Sequence, residues 1–272
     1  MNKVIFLLFS SALILFSCKQ AEKNKTVNVS GQKKTLLVIL AHPDDEFFIS
    51  PLLSKYNNEN IYWVVAANGD LGTREFANIP AGDSLKNVRR KEALCTAEKL
   101  KINAPIFLNY GDGQINVWEN FYPIREKIDS LYNLIKPDAI ITWGPEGGYG
   151  HPDHRMIGNI TTEVFQAKPS NEKCQLFYYA FPKSAVKSFT SFKTEGGEWL
   201  ITSMLPTENN YLTYRIPYSN KDLELGLQAL YCNKSQFSPD EVEEIFTLVS
   251  VSDSIYLKPY HTTNKIKYDI FE

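Results

Sequence analysis

Cysteine is scarce in this chain: there are four in 272 residues, at positions 18, 95, 174 and 232, with no CxxC spacing. That excludes a thiolate zinc site and argues against a disulfide framework. Cys95, Cys174 and Cys232 are therefore expected to be buried thiols. Charge of one sign is lacking too. Lys and Arg total 29 against 31 Asp and Glu, a net charge of −2, with no dominant basic block. Nothing in that balance implies attraction to nucleic acid or to an anionic lipid surface. Internal repeats are absent, as are low-complexity linkers after residue 34. Histidine is rare, with four in all, and three of the four crowd into two short stretches.

The N-terminus stands apart. Lys3 is followed by VIFLLFSSALILFS and then Cys18. One basic residue and roughly 14 apolar or small ones read as a secretory signal, too short to span a bilayer comfortably. The ending Leu15-Phe16-Ser17-Cys18 resembles the lipobox of bacterial lipoproteins. This implies removal of residues 1–17, lipid on Cys18, and an exported, membrane-anchored lipoprotein facing the periplasm or the cell surface. Residues 18–34 are polar and read as a flexible tether. Residues 35–272 then form one domain.

Apolar runs mark the strands: TLLVIL at 35–40, IYWVVAA at 61–67, PIFLNY at 105–110 and DAIITW at 138–143. Helical spacing fills the gaps, over 44–57, 84–101 and 120–136, with another helix starting near Pro152. Strands alternating with helices predict βαβ units and a parallel sheet. Past residue 170, LFYYAF, TSML (202–205) and YLTYRI (211–216) read as strands. DLELGLQAL and PDEVEEIFTLV read as helices.

Two loops carry the chemistry. AHPDDE at 41–46 follows the first strand, and GGYGHPDHR at 147–155 follows the fourth. Ligands in open parallel sheets bind outside the carboxyl ends of the strands, so the two loops can share one pocket. Each Pro is placed to be the first residue of a helix. Acids at a helix start are favoured by the macrodipole alone. Capping, however, does not ask for His before Pro, nor for a second His three residues later. A His/His/carboxylate set suits zinc with an open position, or iron(II). The residues alone do not choose which Asp ligates and which acts as base, nor between His151 and His154. Strands precede both His-Pro-Asp copies, which sets aside a J-domain, where helices flank the tripeptide.

AHPDDE and GGYGHPDHR, with the weaker Arg89-x-x-Glu92 and KPDAIITWGP leading into the second motif, resemble the LmbE-like or PIG-L-type zinc-dependent N-deacetylases. The resemblance covers roughly 35–180 and, more loosely, the rest. It implies a Rossmann-like α/β fold: an open, mostly parallel sheet with helices on both faces and a smaller C-terminal mixed α/β part. It implies hydrolysis of an acetamide, on an N-acetylglucosamine-type sugar or glycoconjugate. His42, Asp45 and His154 would bind Zn2+, with Fe2+ as the other candidate. Asp44 would be the general base. His151 would stabilise the oxyanion or protonate the departing amine, Asp153 would orient a His, and Tyr149 would lie near the oxyanion. Arg89 and Asp112 would touch the sugar or the loops around it, with a surface ion pair an equal expectation for Arg89. Trp118 and Trp143 are expected in the core. One departure is Asn233, three residues before Gln236, where the family often has His; a change at the substrate rim is expected there. The other readings are a metal-dependent hydrolase of a non-sugar amide and a non-catalytic glycan-binding relic.

Overall fold

A computed structural model describes residues 31–169, 173–189 and 191–272. The signal peptide, Cys18 and most of the tether lie outside the described residues. The unit of interest runs from Lys33 to Glu272.

Its elements follow in order: β1 (Thr35–Leu40), α1 (Ser50–Lys55), β2 (Asn60–Ala67), α2 (Asp83–Leu100), β3 (Ile106–Tyr110), α3 (Trp118–Ile135) and β4 (Ala139–Trp143). Then come α4 (Gly147–Gly150), α5 (Pro152–Gln166), β5 (Gln175–Tyr179), α6 (Lys183–Val186), α7 (Glu195–Ser203), β6 (Tyr214–Pro217), α8 (Asn220–Leu230), α9 (Pro239–Ser250) and β7 (Ser254–Pro259). The strands form a seven-stranded sheet ordered β3-β2-β1-β4-β5-β7-β6. The five strands from β3 to β5 pair in parallel. β7 runs antiparallel to both β5 and β6. The C-terminal part thus extends the same sheet.

Strands β1 and β4 are buried along nearly their whole length, which is why they read as unbroken aliphatic runs. Helices α1 and α2 pack with α8, while α3 packs on α5 and α5 lies on β1, β4 and β5. The direction of winding reverses at β1: β2 and β3 lie to one side, β4 and β5 to the other. That reversal opens a crevice beyond the carboxyl ends of β1 and β4. Both His-Pro-Asp loops start there.

Four expectations need correction. Cys95 and Cys232 are joined in a disulfide, with Cα atoms 5.8 Å apart, and Cys174 is half-buried. A bridge across 137 positions leaves no local spacing to read. TSML is not a strand, because residues 202 and 203 end α7. Pro43 starts no helix: Asp44 is left-handed, a 3-10 turn spans Asp45–Ile49, and α1 begins only at Ser50. Pro152, by contrast, does open α5. Trp118 is 70% exposed at the head of α3, whereas Trp143 is 1% exposed and packed in the core as expected.

Candidate active site

The chain leaves β1 through Ala41 and His42 and turns sharply at Asp44, whose φ is +92°. A non-glycine residue in that region is strained, and such strain clusters at functional sites. The turn swings Asp45 back under the strand end. Its Oδ2 accepts from the backbone N–H of Ala41 at 3.0 Å, of His42 at 2.9 Å, and from Trp143 Nε1 at 3.1 Å. Three donors saturate that oxygen and leave Oδ1 to face the crevice. These bonds and the neighbouring imidazoles outweigh burial and hold the Asp45 carboxyl well below the usual carboxylate range.

The second loop needs glycine. Gly147, Gly148 and Gly150 all have positive φ, and a Cβ on Gly148 would lie 2.8 Å from the Trp143 ring. That turn delivers His151 and His154. The His154 ring stacks on Trp143, with centroids 4.4 Å apart and planes 6° from parallel. Its Nδ1 donates to the Gly147 carbonyl at 3.2 Å, so Nε2 is the nitrogen left for a ligand.

Three donor atoms therefore converge. His154 Nε2 is 3.1 Å from Asp45 Oδ1 and 3.2 Å from His42 Nδ1, and His42 Nδ1 is 4.0 Å from Asp45 Oδ1. Donors bound at about 2.1 Å around a tetrahedral zinc stand about 3.4 Å apart. The triangle fits a zinc-sized dication. Two further trios lie within 4.8 Å, His42–His151–His154 and His42–Asp112–Asp153. The second trio has a different use. His42 Nε2 lies 3.2 Å from Asp112 Oδ1 and 3.3 Å from Asp153 Oδ2, so it donates to carboxylates and turns Nδ1 toward the triangle. Burial opposes charging His42, but these two carboxylates outweigh it and raise its pKa to about 10. Asp153 is itself fixed by the Gly113 N–H at 2.7 Å.

Asp44 lies beside Arg89. The guanidinium is buried, 2.7 Å from Asp44 Oδ2, and also donates to the Pro43 carbonyl and, at 2.9 Å, to the Gly69 carbonyl. Arg89 is thus a buried clamp and not a surface ion pair. Burial pushes the Asp44 carboxyl up, with Arg89 opposing. His151 Nδ1 accepts from the Asp153 backbone N–H at 3.2 Å, which places the proton of the neutral ring on Nε2. Burial and the two neighbouring imidazoles lower its pKa. The Tyr149 ring sits 5.1 Å from that of His154 and 5.9 Å from that of His151. Burial pushes its hydroxyl pKa up, keeping it a proton donor.

The structure brings His42, Asp44, Asp45, Arg89, Asp112, Tyr149, Asp153, His151 and His154 to one place. Asn233 is not at a rim: it is 1% exposed and reaches Glu46 Oε1 at 3.4 Å beneath the first loop. An amide there serves a buried carboxyl whose pKa burial raises to about 8. Sequence reasoning missed Asp70, whose Oδ1 holds the Asp112 backbone N–H at 2.8 Å. It also missed Trp199, which meets Tyr149 edge-on at 5.2 Å. Asp70 sits in a Gly-Asp-rich loop after a strand, a cue for a site loop; Trp199 carried no cue.

The chain has relatives among known proteins. Residues 37–165 match the PIG-L family, GlcNAc-PI de-N-acetylase. The PIG-L match takes in both loops and Arg89. A probable N-acetyl-alpha-D-glucosaminyl L-malate deacetylase 2 of Bacillus cereus is 24% identical over 156 residues, 56% of this chain and 70% of the relative. A 1D-myo-inositol 2-acetamido-2-deoxy-alpha-D-glucopyranoside deacetylase 2 of Catenulispora acidiphila is 30% identical over 196 residues, 59% of this chain and 64% of the relative. The alignment thus spans about two thirds of these curated relatives. Among solved structures, the N,N'-diacetylchitobiose deacetylase of Pyrococcus horikoshii superposes with a TM-score of 0.61 at 20% identity, covering 85% of this chain and 86% of that one. The open, mostly parallel sheet is the LmbE-like deacetylase fold.

Proposed function

We propose that the protein is an N-acetyl sugar deacetylase that hydrolyses the acetamide of an N-acetylglucosamine-type sugar or glycoconjugate with a divalent metal, zinc or iron(II). The observation that carries this is the triangle of His42 Nδ1, Asp45 Oδ1 and His154 Nε2, with an ionisable Asp44 beside it. The PIG-L match and the deacetylase relatives support the same reading.

His42, Asp45 and His154 would hold the metal, which would polarise the amide carbonyl and acidify a water. Asp44 accepts the proton of the attacking water. Arg89 keeps that carboxyl in place and opposes the rise in its pKa that burial causes. Tyr149 donates its hydroxyl toward the oxygen that becomes negative. His151 carries its proton on Nε2 and passes one to the departing amine. Asp112 and Asp153 hold the His42 ring and fix its tautomer.

The test is metal content together with acetate release from a panel of N-acetylated sugars. Wild-type protein is expected to hold about one metal ion and release acetate. Asp44→Asn should keep the metal and lose activity by about 10²–10⁴-fold. His154→Ala should lose the metal. Full activity in the first variant or wild-type occupancy in the second overturns the assignment. Binding without turnover in metal-loaded protein would favour a glycan-binding relic. Acetate release confined to non-sugar amides would favour the other hydrolase.

Export and lipid anchoring through Cys18 belong to the same proposal. The lipobox-like sequence supports it, and so does the Cys95–Cys232 disulfide, a bond that persists in oxidising compartments. Cys18→Ala is expected to move the protein from the membrane to the soluble fraction; unchanged partition would refute the anchor.

A further inference from the structure

The Cys95–Cys232 bond lines a surface groove that shares no residue with the donor triangle. Lys91, Cys95 and Lys99 recur every four positions along α2, so they share one face of the helix. Tyr231, Cys232 and Lys234, from the turn after α8, line the other side. All three lysines are exposed. Glu92, the acid in this groove, has both oxygens engaged by Ser235. The sulfur pair therefore faces unneutralised positive charge. Cys95 is half-buried and Cys232 is 5% exposed, so an attacking thiol reaches Cys95 first. Exchange is fast where the incoming thiolate is drawn in and the departing one is stabilised, and ammonium groups do both.

The bond also ties together two supports of the donor triangle. On α2, Arg89 clamps Asp44, six residues before Cys95. In the turn, Asn233 follows Cys232 directly, and its Nδ2 reaches Glu46 Oε1 at 3.4 Å, next to Asp45. Gln236 Nε2 donates to the Gly72 carbonyl at 3.1 Å, in the loop whose Gly69 carbonyl accepts from Arg89. Two sulfur atoms thus join the helix that fixes Asp44 to the turn that braces the first His-Pro-Asp loop.

We propose that the Cys95–Cys232 bond is an exchange site for a small thiol bearing negative charge, and that opening it loosens the first loop and weakens metal binding. The incoming thiolate bonds Cys95 Sγ. The protein S–S bond breaks, and its electron pair leaves on Cys232 Sγ, which takes a proton from water. A second small thiolate then attacks the small-molecule sulfur of the mixed disulfide and expels the Cys95 thiolate. Two small thiols are oxidised to one disulfide, and one protein disulfide is reduced to two thiols. In an oxidising compartment the bond is closed at rest, and a supply of thiol opens it. The effect on metal rests on the donor-triangle reading above; the exchange site does not.

The experiment treats the full-length folded protein with glutathione, which is anionic, or cysteamine, which is cationic, at low ionic strength. Mass spectrometry follows opening and maps the adduct. The mixed disulfide should form on Cys95. The ratio of the glutathione to the cysteamine rate constant should fall about 10-fold in Lys91→Gln/Lys99→Gln. An unchanged ratio, an adduct confined to Cys232, or a bond that neither thiol opens in the folded protein overturns the exchange site. Zinc affinity is then measured by competition with a chromophoric chelator, after the opened cysteines are alkylated. Opened protein should bind zinc about 10-fold more weakly than closed protein, and bridged Asn233→Ala should match it. Equal affinity in the opened and closed forms, or wild-type affinity in Asn233→Ala, overturns the coupling. If closed wild-type protein binds no zinc, the donor-triangle reading fails instead, and the exchange kinetics alone decide the thiol site.

Discussion

At the residue scale, the site works by assigning one job to each atom. Asp45 spends Oδ2 on three donors so that Oδ1 is free, and His42 spends Nε2 on two carboxylates so that Nδ1 is free. The same carboxylates keep metal-free His42 protonated up to a pKa of about 10. A ligand nitrogen must be neutral, so metal and proton compete there. Zinc binding at neutral pH should release about one proton from His42. Calorimetry in buffers of differing ionisation enthalpy reads that number, and zero release would contradict it. Asp44 sets the acid side of the rate profile. Burial raises its pKa, a base works only when ionised, and activity therefore falls as pH drops through the raised value. The acid limb of kcat should lie above the ordinary Asp value of about 3.9. Arg89 opposes burial, so Arg89→Gln should move the limb to still higher pH. A limb that stays in place would mean the guanidinium does not act on Asp44. The residue types of both motifs were legible, because His-Pro-Asp twice in one chain is a rare coincidence. The φ of +92° at Asp44 was not, since the conformation comes from where the chain must go to bring Asp45 beneath β1.

At the element scale, what could be read depended on what each segment packs against. The parallel strands β1, β2, β3 and β4 are flanked by helices and keep continuous apolar runs, so they were found with nearly correct bounds. β7 was missed because its burial alternates along SIYLKP, diluting the apolar signal. α7 reads partly as strand because Gly196 and Gly197 lower its helical look, and a Cβ at either would fall on the Glu241 or Glu244 side chain of α9. The disulfide was unreadable for a different reason: it links α2 to the turn after α8, elements brought together only by the finished fold. Next to it, Ser235 donates to buried Glu92 through its backbone N–H at 2.7 Å and its hydroxyl at 2.6 Å. Closing so long a loop should contribute about 2–5 kcal/mol. Cys95→Ser/Cys232→Ser is expected to lower the denaturation free energy by that amount, measured by urea melts under oxidising conditions. A difference under about 0.5 kcal/mol would show that neighbouring contacts already hold the two elements.

At the scale of the whole molecule, the sheet order places the site. Winding reverses between β2 and β4 around the central β1, and the two loops meet where it reverses. That both loops share one edge of a parallel sheet followed from alternating strands and helices; the strand order, with β1 at the reversal, did not. Asp45 and His154 belong to opposite sides of the reversal, and neither half of the chain holds the donor triangle alone. A nascent polypeptide released only as far as β3 has no trap for a cation. The dication would therefore act as a late seal on tertiary structure, binding the native state and not its fragments. At a thousandfold excess over its dissociation constant it should add about 4 kcal/mol, or about 10 °C in Tm. Stripping it with a chelator should return the melting curve to the metal-free position, and His154→Ala should melt at one temperature whether or not zinc is supplied.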